Sequence, residues 1–176
     1  MDIYIALLRG INVGGNNSLP MKGLSALLTD LGCTHIQTYI QSGNVVFKHN
    51  PVALASLATK ITEAISKTYG FEPQVMLLKA TDLHAAIRAN PYPTDEGKFL
   101  HFYFLANRSK QADIEKLNAL KAESEEYSLI NQVFYLYAPN GVGRSKLAAG
   151  AEKALKVPVT ARNWNTVKKL QEMILN

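Results

Sequence analysis

The sequence predicts an α+β protein built from two similar halves, and three observations lead to this class. Short runs of β-branched and aromatic residues alternate with longer segments whose apolar residues recur at helical spacing. The chain has 176 residues and is 47% hydrophobic, which is enough to bury a sizeable core. The order of predicted elements starts again after the break Asn90-Pro91-Tyr92-Pro93.

The first half opens with a buried strand, a polar loop and a helix. Residues 2–8 form a mostly apolar run that ends at Arg9-Gly10, as expected of a strand buried in a sheet. A loop of glycine and asparagine follows as far as Asn17. Pro20 suits the first position of a helix and Gly32 its end, with leucines at helical spacing between them.

A hairpin follows, because residues with high β-propensity flank the turn-like tetrad Gln41-Ser42-Gly43-Asn44. The remaining predicted elements of this half are a helix over 51–69, a strand over 74–78 and a short helix that Thr81-Asp82 can cap.

The second half repeats this order. Its predicted elements are a strand over 99–105, a helix over 111–121, a strand over 132–137 with a partner just before it, a helix over 145–156, a strand around 157–160 and a helix over 164–175. Val157-Pro158-Val159-Thr160 matches Glu72-Pro73-Gln74-Val75 of the first half, and Asn163 is placed to cap the last helix. Each half is therefore predicted as β-α-β-β-α-β followed by an extra helix.

This order is that of the ferredoxin-like unit, in which helices cover one face of an antiparallel sheet. The sequence therefore predicts a duplication of two ferredoxin-like subdomains, over residues 1–90 and 91–176. Residue identities barely repeat between the halves, so a single mixed sheet is the alternative.

The distribution of charge and the cysteine content indicate which ligands and which cellular compartment to expect. The net charge of +5 comes entirely from residues 140–176, which carry seven basic residues against Glu152 and Glu172. Such a segment attracts phosphates or nucleic acid, or is only a solubilising helix face. The single cysteine, Cys33, excludes an internal disulfide, and no leader or long apolar run is seen. We therefore expect a soluble cytoplasmic protein without membrane association.

Two polar loops of the first half are candidate ligand-binding segments. In the first loop, amides around Asn12, Gly14 and Gly15 could surround an anion, with Arg9 as a forked partner. Neither the P-loop nor the dinucleotide spacing of glycines occurs, and the glycines alternatively serve only a tight turn. In the hairpin turn, Gln41, Ser42 and Asn44 offer hydrogen-bonding side chains, although turns favour the same residues.

Two further segments of the second half are candidates for phosphate binding. Arg144, Ser145 and Lys146 follow two glycines at a helix start, where free amides and cations coincide; the alternative is a serine cap with solvated cations. Arg162-Asn163-Trp164 combines a guanidinium, an amide and the only tryptophan, a set that can pair with phosphate and stack on a ring. Packing of the tryptophan on the core is the alternative.

No metal site, cofactor or complete catalytic set is predicted. The four histidines are scattered and no paired-cysteine or zinc-protease motif occurs. Ser42 has no base nearby in the sequence, so catalytic residues stay unassigned.

Three motifs resemble those of a bacterial family of unknown function: Leu7-Leu8-Arg9-Gly10-Ile11-Asn12-Val13-Gly14-Gly15, Thr38-Tyr39-Ile40-Gln41-Ser42-Gly43-Asn44-Val45-Val46-Phe47 and Thr160-Ala161-Arg162-Asn163-Trp164-Asn165-Thr166. The resemblance implies two ferredoxin-like subdomains and no established activity, substrate or cofactor. Because the motif residues are polar and lie in turns, it also favours a shared ligand pocket at these positions.

Three functional hypotheses remain open from the sequence. The first is a binding module for a phosphate-bearing ligand, either a nucleotide or nucleic acid, although the aromatic signature of common RNA modules is missing. The second is an enzyme acting on a small anionic metabolite. The third is a protein-interaction module that uses exposed edge strands or the joint between the halves.

Overall fold

The computed structural model describes residues 1–176 and contains eight strands, six α-helices and one short 3-10 helix. In chain order these are β1 (Asp2–Arg9), α1 (Met21–Asp30), β2 (Thr34–Tyr39), β3 (Asn44–His49), α2 (Leu54–Tyr69), β4 (Gln74–Lys79), α3 (Ala80–Ala89), the 3-10 helix (Gly97–Phe99), β5 (Leu100–Leu105), α4 (Ile114–Leu120), β6 (Glu126–Ile130), β7 (Val133–Tyr137), α5 (Lys146–Leu155), β8 (Val159–Asn163) and α6 (Trp164–Leu175).

The strands form two separate four-stranded antiparallel sheets, one in each half. The orders are β2-β3-β1-β4 and β6-β7-β5-β8, so each half has the β-α-β-β-α-β topology of a ferredoxin-like unit. The predicted duplication is confirmed, and the alternative of a single mixed sheet is wrong. The chain divides into two compact units, residues 1–85 with 170–176 (unit 1) and residues 86–169 (unit 2).

In unit 1 the helices α1 and α2 cover one face of the sheet. Alternate residues of β1, namely Tyr4, Ala6 and Leu8, belong to the same buried cluster as Leu24 of α1 and Ile61 of α2. This alternation follows from the period of two along a strand.

In unit 2 the helices α4 and α5 cover the corresponding face of the second sheet. Tyr103 and Leu105 of β5 pack in one buried cluster with Leu117 of α4 and Leu147 of α5. The two halves therefore bury their helices by the same pattern, although their core residues differ.

The central strands are also buried on the face away from these helices. Ile5 and Leu7 of β1 are inaccessible to solvent, and so are Leu100 and Phe102 of β5. Burial on both faces explains why these strands are nearly continuous apolar runs instead of alternating ones.

Local capping explains several helix boundaries. The side chain of Asn163 accepts a hydrogen bond from the Thr166 amide at 3.0 Å, which confirms its predicted role at the start of α6. The prediction for α3 was wrong at Thr81, because α3 begins at Ala80 and it is Asp82 that accepts the Lys79 amide at 3.0 Å. No helix has both the length and the apolar content needed to cross a membrane.

A substitution at Gly43 tests the tight packing of the hairpin turn. Gly43 has a φ of +87°, and an added Cβ would lie 2.7 Å from Leu8 Cβ and 2.9 Å from Ile11 Cδ1. We expect Gly43→Ala to reduce the free energy of unfolding by about 2–4 kcal/mol, because left-handed strain adds to overpacking. Urea denaturation measures this change.

Gly70→Ala is the matched control, since Gly70 has a φ of +80° but open space around the added Cβ. It should cost only about 1 kcal/mol. Equal losses in the two variants would show that packing at Gly43 contributes nothing.

Candidate functional site

The two candidate loops of unit 1 lie at the same end of its sheet. Leu7 of β1 pairs with Asn44 of β3, and Arg9 pairs with Gln74 of β4. The loop that leaves β1 therefore emerges beside the turn that joins β2 to β3. This antiparallel register brings the first two sequence motifs together.

The side chain of Asn12 joins these two loops. Its Nδ2 donates to the carbonyl oxygens of Gln41 at 2.7 Å and Leu19 at 3.0 Å, and its Oδ1 accepts the Leu19 amide at 2.7 Å. Both polar atoms of one carboxamide are thereby used to hold a backbone that has few hydrogen bonds of its own. Asn12 was predicted as a ligand contact, and the structure shows it holding the loops.

Left-handed backbone is concentrated in these loops. The chain has positive φ at six non-glycine residues and seven glycines, and seven of these positions lie within 10–17 and 40–43. Gly14 and Gly15 form the tip of a small hairpin closed by the amide of Asn16, which donates to the Val13 carbonyl at 2.9 Å. Ile40 is β-branched and still has a φ of 51°, which is a strained conformation for such a residue.

The hairpin turn is held from inside by Asn44. This residue is fully buried, and its Nδ2 donates to the Tyr39 carbonyl at 3.1 Å and to Ser42 Oγ at 3.0 Å. Gln41 and Ser42 are exposed. The Ser42 hydroxyl thus accepts a hydrogen bond from an amide, a group that cannot act as the base that removes its proton.

Arg9 supplies the cation at this end of unit 1. It is exposed at the end of β1, and its Nη1 donates to Gln74 Oε1 at 3.5 Å. No Asp or Glu occurs within residues 9–20 or 38–48. Within these two segments, the charged side chains are therefore all basic.

The second-half candidates occupy one end of unit 2, on different faces. Leu100 pairs with Tyr137 and His101 with Asn163, so the loop before α5 and the end of β8 are at the same end of the sheet. Helix α5 packs on the face that carries Tyr103. Arg162 pairs with Phe102 and so projects from the opposite face.

At the start of α5 the serine is the cap and the two cations are exposed. Ser145 Oγ accepts the Ala148 amide at 3.0 Å, as the alternative interpretation of this loop predicted. Gly141 has a φ of 85°, which closes the preceding turn. Arg144 and Lys146 both project into solvent beside the helix N-terminus.

The residues 162–164 have contacts within the fold. Arg162 is partly buried and its Nη1 donates to the Ala161 carbonyl at 2.9 Å. Burial lowers the pKa of its guanidinium to about 10, so it remains charged at neutral pH. The Trp164 ring lies 5.9 Å from that of Phe102, measured between centroids. This packing agrees with the core role that was the alternative for Trp164.

His101 is a residue that the sequence analysis did not single out. Its Nδ1 is buried without a hydrogen-bond partner, and burial lowers the pKa of the imidazole. The available signal was a lone histidine inside the apolar strand Leu100–Leu105. His101 is paired with Leu136 and Asn163 in the sheet, and nowhere does the structure bring three His, Cys, Asp or Glu residues together as metal ligands.

Replacing Asn12 tests whether its side chain holds the two loops. We expect Asn12→Ala to lower the free energy of unfolding by about 2–3 kcal/mol, because three hydrogen bonds are lost. Asn17→Ala is the matched control, since Asn17 has a similar φ of 52° but a single side-chain bond, to the Gly10 carbonyl at 2.9 Å. Urea denaturation compares the two, and exchange of the Leu19 amide should accelerate only in Asn12→Ala. A smaller loss in Asn12→Ala than in Asn17→Ala would contradict this role.

The buried imidazole of His101 should make stability depend on pH. Because its pKa is lowered in the folded state, the unfolded chain binds the proton more readily once the pH falls below the unfolded value of about 6.5. The contribution of His101 to stability is therefore complete above about pH 6.5. It is lost as the pH falls from this value through the lowered pKa of the folded state. We expect the urea midpoint of His101→Gln to depend less on pH than that of the parent chain, between about pH 7.5 and 5. An unchanged slope would assign the pH dependence to other groups.

The comparisons with known proteins agree with this architecture. The family described as protein of unknown function DUF1697 matches residues 1–135, which include the first two motifs but not the third. The conserved bacterial protein SP0830 from Streptococcus pneumoniae has a similar solved structure, with a TM-score of 0.70, 26% identity and coverage of 98% of both chains. Among proteins with curated descriptions, none matches this chain. The matched residues make up most of the chain, so the protein belongs to the DUF1697 family.

Proposed function

We propose that this protein binds a phosphate-bearing ligand, a nucleotide or a nucleic acid, at the joined loops of unit 1. The observation that carries the proposal is the concentration of left-handed backbone in residues 10–17 and 40–43, beside the exposed guanidinium of Arg9. Strained backbone held in place by a dedicated side chain, here Asn12, is typical of ligand-binding segments.

Phosphate suits these loops for a chemical reason. Glycines and other left-handed residues turn successive backbone amides toward one side, and such concave sets of donors bind anions. A guanidinium adds two parallel donors that match phosphate oxygens. Neither loop itself contains a carboxylate that would repel an incoming anion.

The start of α5 in unit 2 is a second place for the same chemistry. Exposed Arg144 and Lys146 flank a helix N-terminus whose serine cap leaves other first-turn amides free of intrahelical partners. These cations belong to the segment that carries the excess positive charge of the chain. Arg162, Asn163 and Trp164 lie at the same end of the unit 2 sheet but Arg162 projects from its opposite face, so we propose them as a separate set of candidate ligand contacts. A cytoplasmic setting, where phosphorylated metabolites and nucleic acids are abundant, is part of this proposal.

Thermal unfolding in the presence of nucleotides, phosphorylated metabolites and short nucleic acids tests the proposal. A ligand bound by the folded state alone at about 100 times its Kd stabilises by about 2.7 kcal/mol and raises the midpoint. We expect Arg9→Ala to abolish the shift and Arg9→Lys to retain part of it, because lysine keeps the charge without the fork. Arg88→Ala is the control, since Arg88 is an exposed arginine in the last turn of α3.

The salt dependence separates the two ligand classes. A nucleic acid should bind with an affinity that falls steeply between low and moderate salt, whereas a mononucleotide should show a shallower slope. A panel without any shift, or a shift that Arg9→Ala leaves intact, would contradict binding at these loops.

A further inference from the structure

Strand β6 is an edge strand of unit 2 and forms the floor of an open groove. The order β6-β7-β5-β8 leaves one side of β6 without a neighbouring strand. A groove of about 820 Å³ follows this side, between Ile114 and Asn118 of α4 on one wall and Tyr92 on the other. The Tyr92 hydroxyl is 2.7 Å from Ser128 Oγ, and Ile114 is 47% exposed. The edge is therefore accessible and flanked by apolar surface.

The backbone of β6 has a defined set of outward hydrogen-bonding groups. Leu105 donates to the Gln132 carbonyl at 2.9 Å and Ala138 to the Phe99 carbonyl at 2.8 Å, which directs the even-numbered residues of β7 toward β5. The odd-numbered residues of β7 then bond to β6, where their register partners are Glu126, Ser128 and Ile130. The amides and carbonyls of Tyr127 and Leu129 consequently point away from the sheet.

The equivalent edge of unit 1 differs. In β2 the register shifts between Thr34 and Gln37, and His35 has a φ of 51°, which marks a bulge. A bulge twists an edge away from a second strand and is a common protection against edge pairing. Strand β6 pairs with β7 without any shift over five residues, so its edge carries no such protection.

We propose that β6 pairs antiparallel with β6 of a second copy of this chain. The four-stranded unit 2 sheets of the two copies would then form one eight-stranded sheet. The outward groups of Tyr127 and Leu129 are symmetric about Ser128, so a two-fold axis at Ser128 satisfies all of them with four hydrogen bonds. In this register Tyr127 lies opposite Leu129 of the other copy, an aromatic and aliphatic pair on one face.

The charges along β6 favour this partner and this direction. Glu126 is exposed at the first end of the strand. At the other end Arg108 is held beside the turn, with its Nη2 donating to Asn131 Oδ1 at 2.9 Å. Antiparallel pairing places Glu126 of each copy opposite Ile130 of the other copy. Ile130 is next to Asn131, which binds Arg108. Opposite charges thus meet twice in each dimer, and no like charges are opposed.

Charge reversal tests the pairing, with sedimentation equilibrium over about 1–500 µM protein as the measurement. The parent chain should dimerise reversibly. Glu126→Lys and Arg108→Glu should each weaken dimerisation by about tenfold, because two attractive pairs become repulsive. An equimolar mixture of the two variants should dimerise as well as the parent, since both contacts of the mixed dimer are attractive. Glu63→Lys, which changes an exposed residue of α2 by the same charge, should behave as the parent.

Hydrogen exchange locates the interface independently of these variants. The amides of Tyr127 and Leu129 should gain protection as the protein concentration rises, while the outward amide of Thr38 in β2 should exchange at a constant rate. A chain that stays monomeric throughout the range overturns the proposal. So does a dimer that both charge variants leave intact, because it would form through another surface. If the β6 amides are protected from exchange only when an extended peptide is added, the groove binds a strand of another protein. This outcome would likewise overturn self-pairing.

Discussion

Each half of this protein depends on one central strand that is hydrogen-bonded along both edges and buried on both faces. Strand β1 pairs with β3 and β4, and β5 pairs with β7 and β8. The backbone groups of such a strand are bonded to its neighbours, and its side chains are mostly apolar, with His101 of β5 as an exception. The functional positions are therefore restricted to the ends of the central strands, where loops emerge, and to the outer strands, where backbone groups remain available.

The end of β1 shows how a loop can be ordered without regular structure. Seven left-handed residues would make residues 10–17 and 40–43 a poorly defined coil if nothing held them. Asn12 replaces the missing backbone bonds with those of one carboxamide, and the buried Asn44 does the same for the turn. Two asparagines thus fix the backbone, and the guanidinium of Arg9 is exposed beside them.

Much of the fold was predictable because it follows from local patterns. Leucine spacing between Pro20 and Gly32 and the residues of high β-propensity around the hairpin turn indicated the correct elements in the correct order. The candidate site was harder to predict from the sequence, because the roles of its side chains depend on contacts between residues that are distant in the chain. Asn12 and Gln41 are 29 positions apart in the sequence, yet they are joined by a direct hydrogen bond. Likewise, no local pattern shows that Arg162 is partly buried beside Phe102 in the sheet, or that Nδ1 of His101 is buried without a hydrogen-bond partner.

The duplicated topology has diverged at equivalent places, which assigns different roles to the two units. The loop after β1 is rich in left-handed residues, whereas no residue of the corresponding loop between β5 and α4 has positive φ. The edge strand β2 carries a bulge, whereas its counterpart β6 is regular and open. Neither difference is needed for folding, since both units form the same sheet order. We therefore expect ligand binding and self-association to be separable: variants of Arg9 should leave dimerisation unchanged, and variants of Glu126 should leave binding at the unit 1 loops unchanged.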